Sequence, residues 1–481
     1  MNPNVNAGKT AGYHSHPASF KVNKFNLFPH KAKLKNGKKS INIINIMQSF
    51  SIQESLSQNS IILTTRILDG TNLLEVFKIN GGEKCEVEIQ QKFKDGEDNE
   101  VDKKIKLELY IVEILNFSRP NIGSATYDIV FMTKEGYRNQ FLTINRPFKG
   151  NAVEEIKAIL EGDLGAEPKK DDSLLGKARE GAGVKGDITD KWTKSVGHQL
   201  RGYYPKLKPF DAIQWLVRSS FNDKSPLFFG ESLRDGYILK GLDEMYKQDS
   251  YSGYTNLPYL ITTGEPGKDQ YNNERQMILD YSVSSYASTL SRADGGGYGS
   301  LTTWVVFSEK KKGTEKYIDS EQRTKMNEKK ASYTGDLAVF KGSKKLNRRE
   351  RAETAQFFFI NENSKAYDKG IKDNYHSQVR RNVGTSFSYL ENLNATNANI
   401  TLNGDPALGI GDVIHLVLAN ETKASNEDIT EQSQNILFGG KYLVKSIRHN
   451  FTERGYSMEV DIGKSDSLAD FDKEVDLSKG D

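Results

Sequence analysis

Apolar and polar residues alternate in blocks along this 481-residue chain, and the blocks predict its elements. From about residue 40 to 146 the pattern is that of strands and turns. "SINIINI" and "SIILTTRI" are rich in β-branched residues, "CEVEIQQKF" alternates, and "DGTN" and "NGGE" are turn signals. "KDGEDNEVDKK" (94–104) predicts a charged hairpin tip, after which "IKLELYIVEI" resumes the strand. Together these predict an antiparallel meander, a barrel or a sandwich.

"NRPFKG" (145–150) interrupts this pattern and the period then becomes helical. In "NAVEEIKAIL", Val153, Ile156, Ile159 and Leu160 share one face. Asn151 is the expected cap, with Glu154 three residues on and Gly162 as the expected stop. Residues 162–190 read as loop. "DAIQWLVRSSF" predicts a second helix, with Asp211 near its start and Ile213, Leu216, Val217 and Ser220 on one side. "SPLFFGESLRDGYILKGL" predicts a hairpin across a Leu-Arg-Asp-Gly turn. Residues 268–290 lean towards helix, and "LTTWVVF" and "QFFFINEN" read as strands. From about 384 strands return in "TSFSYL", "NANITLNGDPALGIGDVIHLVL", "KYLVKSI" and "YSMEVDIG".

The expected organisation is α+β, mainly β. A polar, basic arm (1–37) with little core of its own precedes a first β-domain (38–146). A helical connector (147–224) follows, then the start of a second β-domain (225–267), a mixed insert with a basic loop (268–380), the remainder of the second β-domain (381–465) and an acidic tail (466–481).

Two stretches repeat one pattern. "LYIVEILNFSRPNIGSATYDIVFM" (109–132) and "KYLVKSIRHNFTERGYSMEVDIG" (441–463) each carry Tyr, aliphatic residues, a turn region after Asn-Phe, then Tyr and an alternating run. Aligning Tyr110 with Tyr442, Phe117 with Phe451 and Tyr127 with Tyr456 makes each stretch the closing hairpin of a β-domain. Tyr110 to Phe117 spans seven residues and Tyr442 to Phe451 spans nine; the even difference is expected to preserve which side each residue faces. In "NGDPALGIGDVIHLVL", Gly404, Pro406, Gly409, Gly411 and Asp412 predict a double bend that delivers a strand after a corner.

Charge and chemistry narrow the function classes. Lys and Arg number 67 against 64 Asp and Glu, so no overall nucleic-acid signature is present. The basic stretch 309–352 is interspersed with Glu315, Asp319, Glu321 and Glu328, the pattern of a solvated loop. One cysteine, Cys85, excludes an internal disulfide framework and fits a reducing compartment; the N-terminus shows no apolar signal segment. These point to synthesis in the cytoplasm. His14 and His16 share a face if extended, as a metal pair needs, but no third ligand lies nearby. His415 and His449 lie in predicted strands without a nucleophile motif. No phosphate-binding loop, dinucleotide fingerprint, hydrolase elbow or zinc-protease helix occurs. No cofactor, metal or catalytic residue is expected. Two other classes are weighed. A cell-wall hydrolase needs a carboxylate pair, and none is favoured. A glycan-binding β-module needs an exposed aromatic patch, for which "RGYYPKL" and "YSGYTNLPYL" are the candidates.

The arrangement resembles the central baseplate hub protein of T-even-type contractile phage tails, related to the N-terminal module of type VI secretion spike proteins. The residues that carry it are "NRPFKGNAVEEIKAIL" with Arg146, Pro147 and Phe148, "FDAIQWLVRSSF" followed by "SPLFFGESLRDGYIL", "LPYLITTGEP", and the terminal strands 400–463. The resemblance implies two similar small tube-type β-barrels joined by helical and mixed segments. It also implies a homotrimer whose six barrels form a pseudo-sixfold ring, adapting a trimeric spike protein to hexameric tail-tube or tube-initiator proteins, with DNA only in transit. The virion tail baseplate is the implied location. The 1–37 arm and the 309–352 insert depart from the family, and the long repetitive C-terminal spike of the secretion homologues is not seen, which favours the phage-type hub over a type VI secretion-like one.

Overall fold

The structure is a computed structural model that describes residues 18–30, 39–94, 100–121, 123–167, 192–193, 196, 199–222, 225–256, 276–286, 289–306, 310–318, 355–360, 375–418 and 438–464. The protein is mainly β, and its sheets are largely antiparallel. The N-terminal strands are β1 (Lys21–Phe28), β2 (Ile41–Asn42), β3 (Met47–Ser55), β4 (Ile62–Asp69), β5 (Lys84–Lys94), β6 (Glu100–Asn121) and β7 (Ser124–Thr133). The middle of the chain adds β8 (Pro147–Asn151), β9 (Gln199–Tyr203), β10 (Phe221–Asn222), β11 (Ser225–Ser232), β12 (Gly236–Gly241), β13 (Gly253–Thr255), β14 (Ile278–Tyr286), β15 (Gly299–Val306), β16 (Lys311–Ile318) and β17 (Ala355–Ile360). The last four are β18 (Thr396–Asn403), β19 (Val413–Val417), β20 (Gly440–Thr452) and β21 (Gly455–Lys464).

One 13-stranded sheet holds both ends of the chain together. It contains two units with the same strand order. The first runs β3-β4-β7-β6-β5, the second β14-β18-β21-β20-β19, and every neighbouring pair in both is antiparallel.

The register makes the correspondence residue by residue. The first strand of each unit has an irregularity after its first residue, between Met47 and Ser49 in β3 and between Ile278 and Asp280 in β14. The fourth strand of each has one between Ile111 and Glu113 in β6 and between Val444 and Ser446 in β20. Following partners across each unit from the fourth strand to the first brings both irregularities into line. Ile111 pairs with Phe131 and on to Leu63 and Ile52; Val444 pairs with Ile462 and on to Ala398 and Val283. A bulge re-aims a strand and is a designed feature of its sheet, so two bulges in register in two units mark a repeated architecture. The interior agrees: Leu109 stands where Tyr442 stands, Cys85 where Ile414 stands, Tyr127 where Met458 stands, and all six are buried.

This corrects the alignment read from the sequence. Tyr110 corresponds to Leu443, not Tyr442, and Tyr127 to Met458, not Tyr456. A one-residue slip in a strand exchanges its two faces. Tyr110 is accordingly half-buried on the sheet's outer side while Tyr442 is fully buried. Further irregularities between Leu115 and Asn121 then leave Phe117 55% exposed, whereas Phe451 is buried. The expectation that even spacing keeps the faces equivalent fails because bulges, invisible in the spacing, change the count.

Each unit curls back towards its first strand without a continuous closing ladder among the described residues. In the first, β5 pairs with β1, β1 with β2, and the chain then enters β3 through a 3-10 turn, Ile44–Ile46. In the second, β19 pairs with β13, and one bridge, Thr255 to Met277, reaches the foot of β14.

Other expectations change. The 1–37 stretch contains β1, whose Phe25 and Leu27 are fully buried, so this part belongs to the core. Within 268–290, Ile278–Tyr286 is a strand, because Tyr281 and Val283 alternate inward against β18 and pack on the core. "TSFSYL" lies in a helix, Tyr375–Leu393, that buries Thr385, Ser388, Tyr389 and Leu393 at helical spacing. The helix capped by Asn151, whose Oδ1 accepts from Val153 N, runs through Gly162 as a π turn and ends at Gly165, which takes the left-handed conformation.

A second core lies under the helices Ala152–Ala158 and Pro209–Arg218. The predicted hairpin β11–β12 divides the two cores. By strand alternation Leu227, Phe229, Tyr237 and Leu239 enter the helical core, while Ile238 enters the core of the large sheet.

Candidate functional site

The two units meet where β3 pairs with β20, from Ser55 opposite Ser446 to Phe50 opposite Phe451. Aromatic rings cement the line. Phe451 stacks on Phe50 at 4.5 Å and on Tyr456 at 4.3 Å, with Phe20 edge-on at 5.1 Å. Behind them His449 is fully buried. Its Nδ1 lies 2.8 Å from the Tyr456 hydroxyl and its Nε2 3.4 Å from Oε1 of the equally buried Glu54. The other Glu54 oxygen accepts from Leu233 N, in the turn of the β11–β12 hairpin.

The same turn supplies Arg234. It bonds Asp412 through two nitrogens, at 2.6 and 3.0 Å, and also Asp235 and the Ala407 carbonyl. Burial works against this charge, but the hydrogen bonds to Asp412 and Asp235 outweigh it and hold the guanidinium pKa above its ordinary value. Asp412 also accepts from Gly409 N at 2.9 Å, so it ties the 404–412 double bend and the hairpin together. At the end of β11, just before the turn, Glu231 accepts from Ile61 N at 3.0 Å and from the Thr133 hydroxyl at 2.8 Å, reaching the first unit.

The residues singled out in the sequence fall into four places. Gly404, Pro406, Gly409, Gly411, Asp412, Phe451 and Tyr456 surround the junction. Gly404 lies flat against the Tyr456 ring, donates to the Tyr456 carbonyl, and offers its own carbonyl to Gln91 of the first unit at 3.2 Å. Gly411 takes a positive φ of 82°, which glycine adopts without strain. Tyr442 lies at the other end of β20, its hydroxyl donating to the Phe438 carbonyl at 2.7 Å. Phe148 sits in the helical core instead, with Arg146 half-buried at its edge and Pro147 exposed. Arg146 pairs with Glu155 at 2.8 Å and lies over Tyr204, and Phe148 stacks on Tyr204 at 4.4 Å. Tyr110, Phe117 and Tyr127 lie on the first hairpin. Tyr110 stacks on Tyr137, Phe117 stacks on Tyr127, and the buried Tyr127 donates to Asp69 at 2.9 Å.

Sequence reasoning missed Arg234, Glu54 and β1. The Leu-Arg-Asp-Gly turn was legible, but nothing in the pattern shows that its arginine crosses to Asp412. His449 lies in a strand, as its pattern predicts, and is fully buried there. Cys85 is likewise a buried strand residue, its thiol pKa raised by burial first and then by Glu86. His415 is exposed on its strand, its pKa lowered by burial and by Lys441 and Lys464. His14 and His16, residues 309 and 319–352 of the basic stretch, and the 466–481 tail lie outside the described residues. Among the described residues no three His, Cys, Asp or Glu side chains are grouped to hold a metal ion, and no helix is long and apolar enough to cross a membrane.

No protein-family model and no curated protein matches this chain. Solved structures similar to it include phage tail proteins. A 43 kDa tail protein of prophage MuSo2 from Shewanella oneidensis aligns with a TM-score of 0.47 and 10% identity, over 93% of this chain and 99% of that one. A tail protein from Neisseria meningitidis MC58 gives 0.47 and 10%, over 93% and 98%. An Escherichia coli type VI secretion system component, described as similar to T4 bacteriophage tail proteins, gives 0.37 and 6%, over 94% and 78%. At such scores and identities, function has to be argued from this chain's own residues.

Proposed function

We propose that this protein is a structural component of a contractile phage tail: a trimeric central baseplate hub that adapts a threefold spike to a sixfold tube. The observation that supports this reading is the internal duplication. Two units of one strand order, with bulges in register, lie side by side in one sheet. Three such chains present six equivalent units, which lets a threefold assembly meet a sixfold one. The sequence resemblance at 145–160, 210–239 and 400–463 points the same way.

In this reading each unit is a tube-type barrel completed on assembly, and the two units of one chain, β3–β7 and β14 with β18–β21, are two of the six in the ring. The helical connector and the β11–β12 hairpin hold the halves at a fixed relation. Among the site residues, Phe117 faces a neighbour, and the others set the shape of the units. The partners are a spike protein on one side and tube or tube-initiator proteins on the other, with DNA only passing through. The near balance of charge, 67 cationic against 64 anionic side chains, suits a wall that does not grip DNA.

The buried carboxylates are engaged structurally, which favours assembly over catalysis. Glu54 holds the Leu233 turn, Asp69 holds Thr71, Leu73 and Tyr127, Glu83 holds Asn80 and Gly81, and Asp412 holds Arg234.

The test is the mass of the purified chain by light scattering and native mass spectrometry, with class averages from negative-stain images. A particle of three 54.1 kDa chains with a threefold ring is expected. A monomer at high concentration, with the spike protein also present, would overturn the reading.

A further inference from the structure

The β3·β20 junction inside the chain has an unfilled counterpart. β20 pairs with β19 over Gly440–Leu443 and with β3 over Ser446–Phe451. Its equivalent, β6, pairs with β5 over Glu100–Tyr110 and, among the described residues, with no strand on that side beyond. In the same way β3 has β20 on its outer side, while its equivalent, β14, has β18 on one side and, among the described residues, no ladder on the other. One chain therefore carries one filled junction and the two separate halves of a second.

The burial at these edges is incomplete by comparison with their counterparts. Phe50 and Ile52 of β3 are buried, and their equivalents Tyr281 and Val283 of β14 are only partly buried. Ile447 of β20 is buried and its equivalent Ile114 is only partly so. Next to these lie Leu115 at 38% exposure, Phe117 at 55% and Leu279 at 49%. An open strand edge flanked by apolar side chains is a template for another strand.

We infer that β14 of one copy pairs antiparallel with the Glu113–Ser118 portion of β6 in a second copy, repeating between chains the junction that β3 and β20 make within one. The register follows from the equivalences. Arg448 pairs with Gln53 inside the chain, so Leu115 faces Ser285 of the neighbour; Asn450 pairs with Ser51, so Ser118 faces Ser282, with Asn116 and Phe117 bulged between. The contact joins two different edges, so it is head-to-tail and propagates until it closes. The inference deepens the hub reading and rests on it for the number of copies. It fixes by itself which edges touch.

Paired cysteines in the full chain test it. Leu115→Cys with Ser285→Cys places two thiols across the proposed ladder, where opposed Cα atoms lie about 4.5–5.5 Å apart, within disulfide reach. The buried Cys85 stays out of the reaction. Under mild oxidation the double variant should form covalent dimers and trimers on a reducing-agent-sensitive gel, and each single variant should remain a monomer band. Independently, Phe117→Lys puts a charge on the edge, and should convert the assembly to monomers with an unchanged circular dichroism spectrum. A chain that is trimeric by mass, yet gives no cross-link and keeps its mass with Phe117→Lys, overturns the edge pairing and leaves the hub reading standing. A wild-type monomer overturns both.

Discussion

Arg234 and Asp412, 178 residues apart, meet in a two-point ion pair with nitrogen–oxygen distances of 2.6 and 3.0 Å. The arginine comes from the turn of a hairpin that separates two cores. The aspartate comes from the double bend that leads into β19. The pair fixes how the hairpin sits on the second unit.

Removing either partner should destabilise the protein. Asp412→Ala leaves a largely enclosed guanidinium with Asp235 and the Ala407 carbonyl, and frees Gly409 N of its acceptor. The cost of breaking an enclosed pair is about 3 kcal/mol, at the low end of the usual range because Arg234 keeps some solvent contact. Arg234→Ala should cost a similar amount. The double variant should lose less than the two single losses added together. Urea unfolding midpoints measure all three.

Gly404 admits no side chain. A Cβ there would overlap Cδ1 of Tyr456, a fully buried ring wedged against Phe451 and bonded to His449. Gly404→Ala must push the ring or the bend, and overpacking of this kind costs about 1–3 kcal/mol. Thermal unfolding should show a clear fall in Tm. Combining it with Tyr456→Phe, which keeps the ring, should restore nothing, because the clash is with the ring and not the hydroxyl.

Stability should fall in acid through Asp69. Burial alone would raise its pKa, but hydrogen bonds from Thr71 N, Leu73 N, the Tyr127 hydroxyl and the Thr71 hydroxyl lower it below the ordinary 3.8. A carboxylate whose pKa is lower in the folded state stabilises the fold above its unfolded value. That contribution fades as pH drops through 3.8 to the lowered pKa. Unfolding free energy measured from pH 7 downward should therefore decline across this window. Asp69→Asn should be less stable at pH 7 and flatter with pH. Tyr127→Phe should cost about 1–2 kcal/mol at neutral pH by removing one bond to the carboxylate.

The strands of the first unit, both hairpins, the Asn151 cap and the Pro209–Arg218 helix were legible in the sequence. Each depends on local periodicity or on a residue's own side chain reaching its own backbone. Even the duplication showed, because both closing hairpins must place apolar residues every second position against a core. Its register did not. Tyr110 matches Leu443 rather than Tyr442, and the irregularities of β6 past Leu115, which have no counterpart in β20, change the count again without leaving a mark in the alternation. The Ile278–Tyr286 strand was hidden for a related reason: its outer side is polar or open, and only pairing with β18 selects the extended form. The Arg234–Asp412 pair, the Glu54–His449–Tyr456 chain and the pairing of β3 with β20 join residues far apart in sequence. Local pattern sets which segments extend or coil; which edge meets which, and which charge is buried beside which, is decided only when the two units pack together.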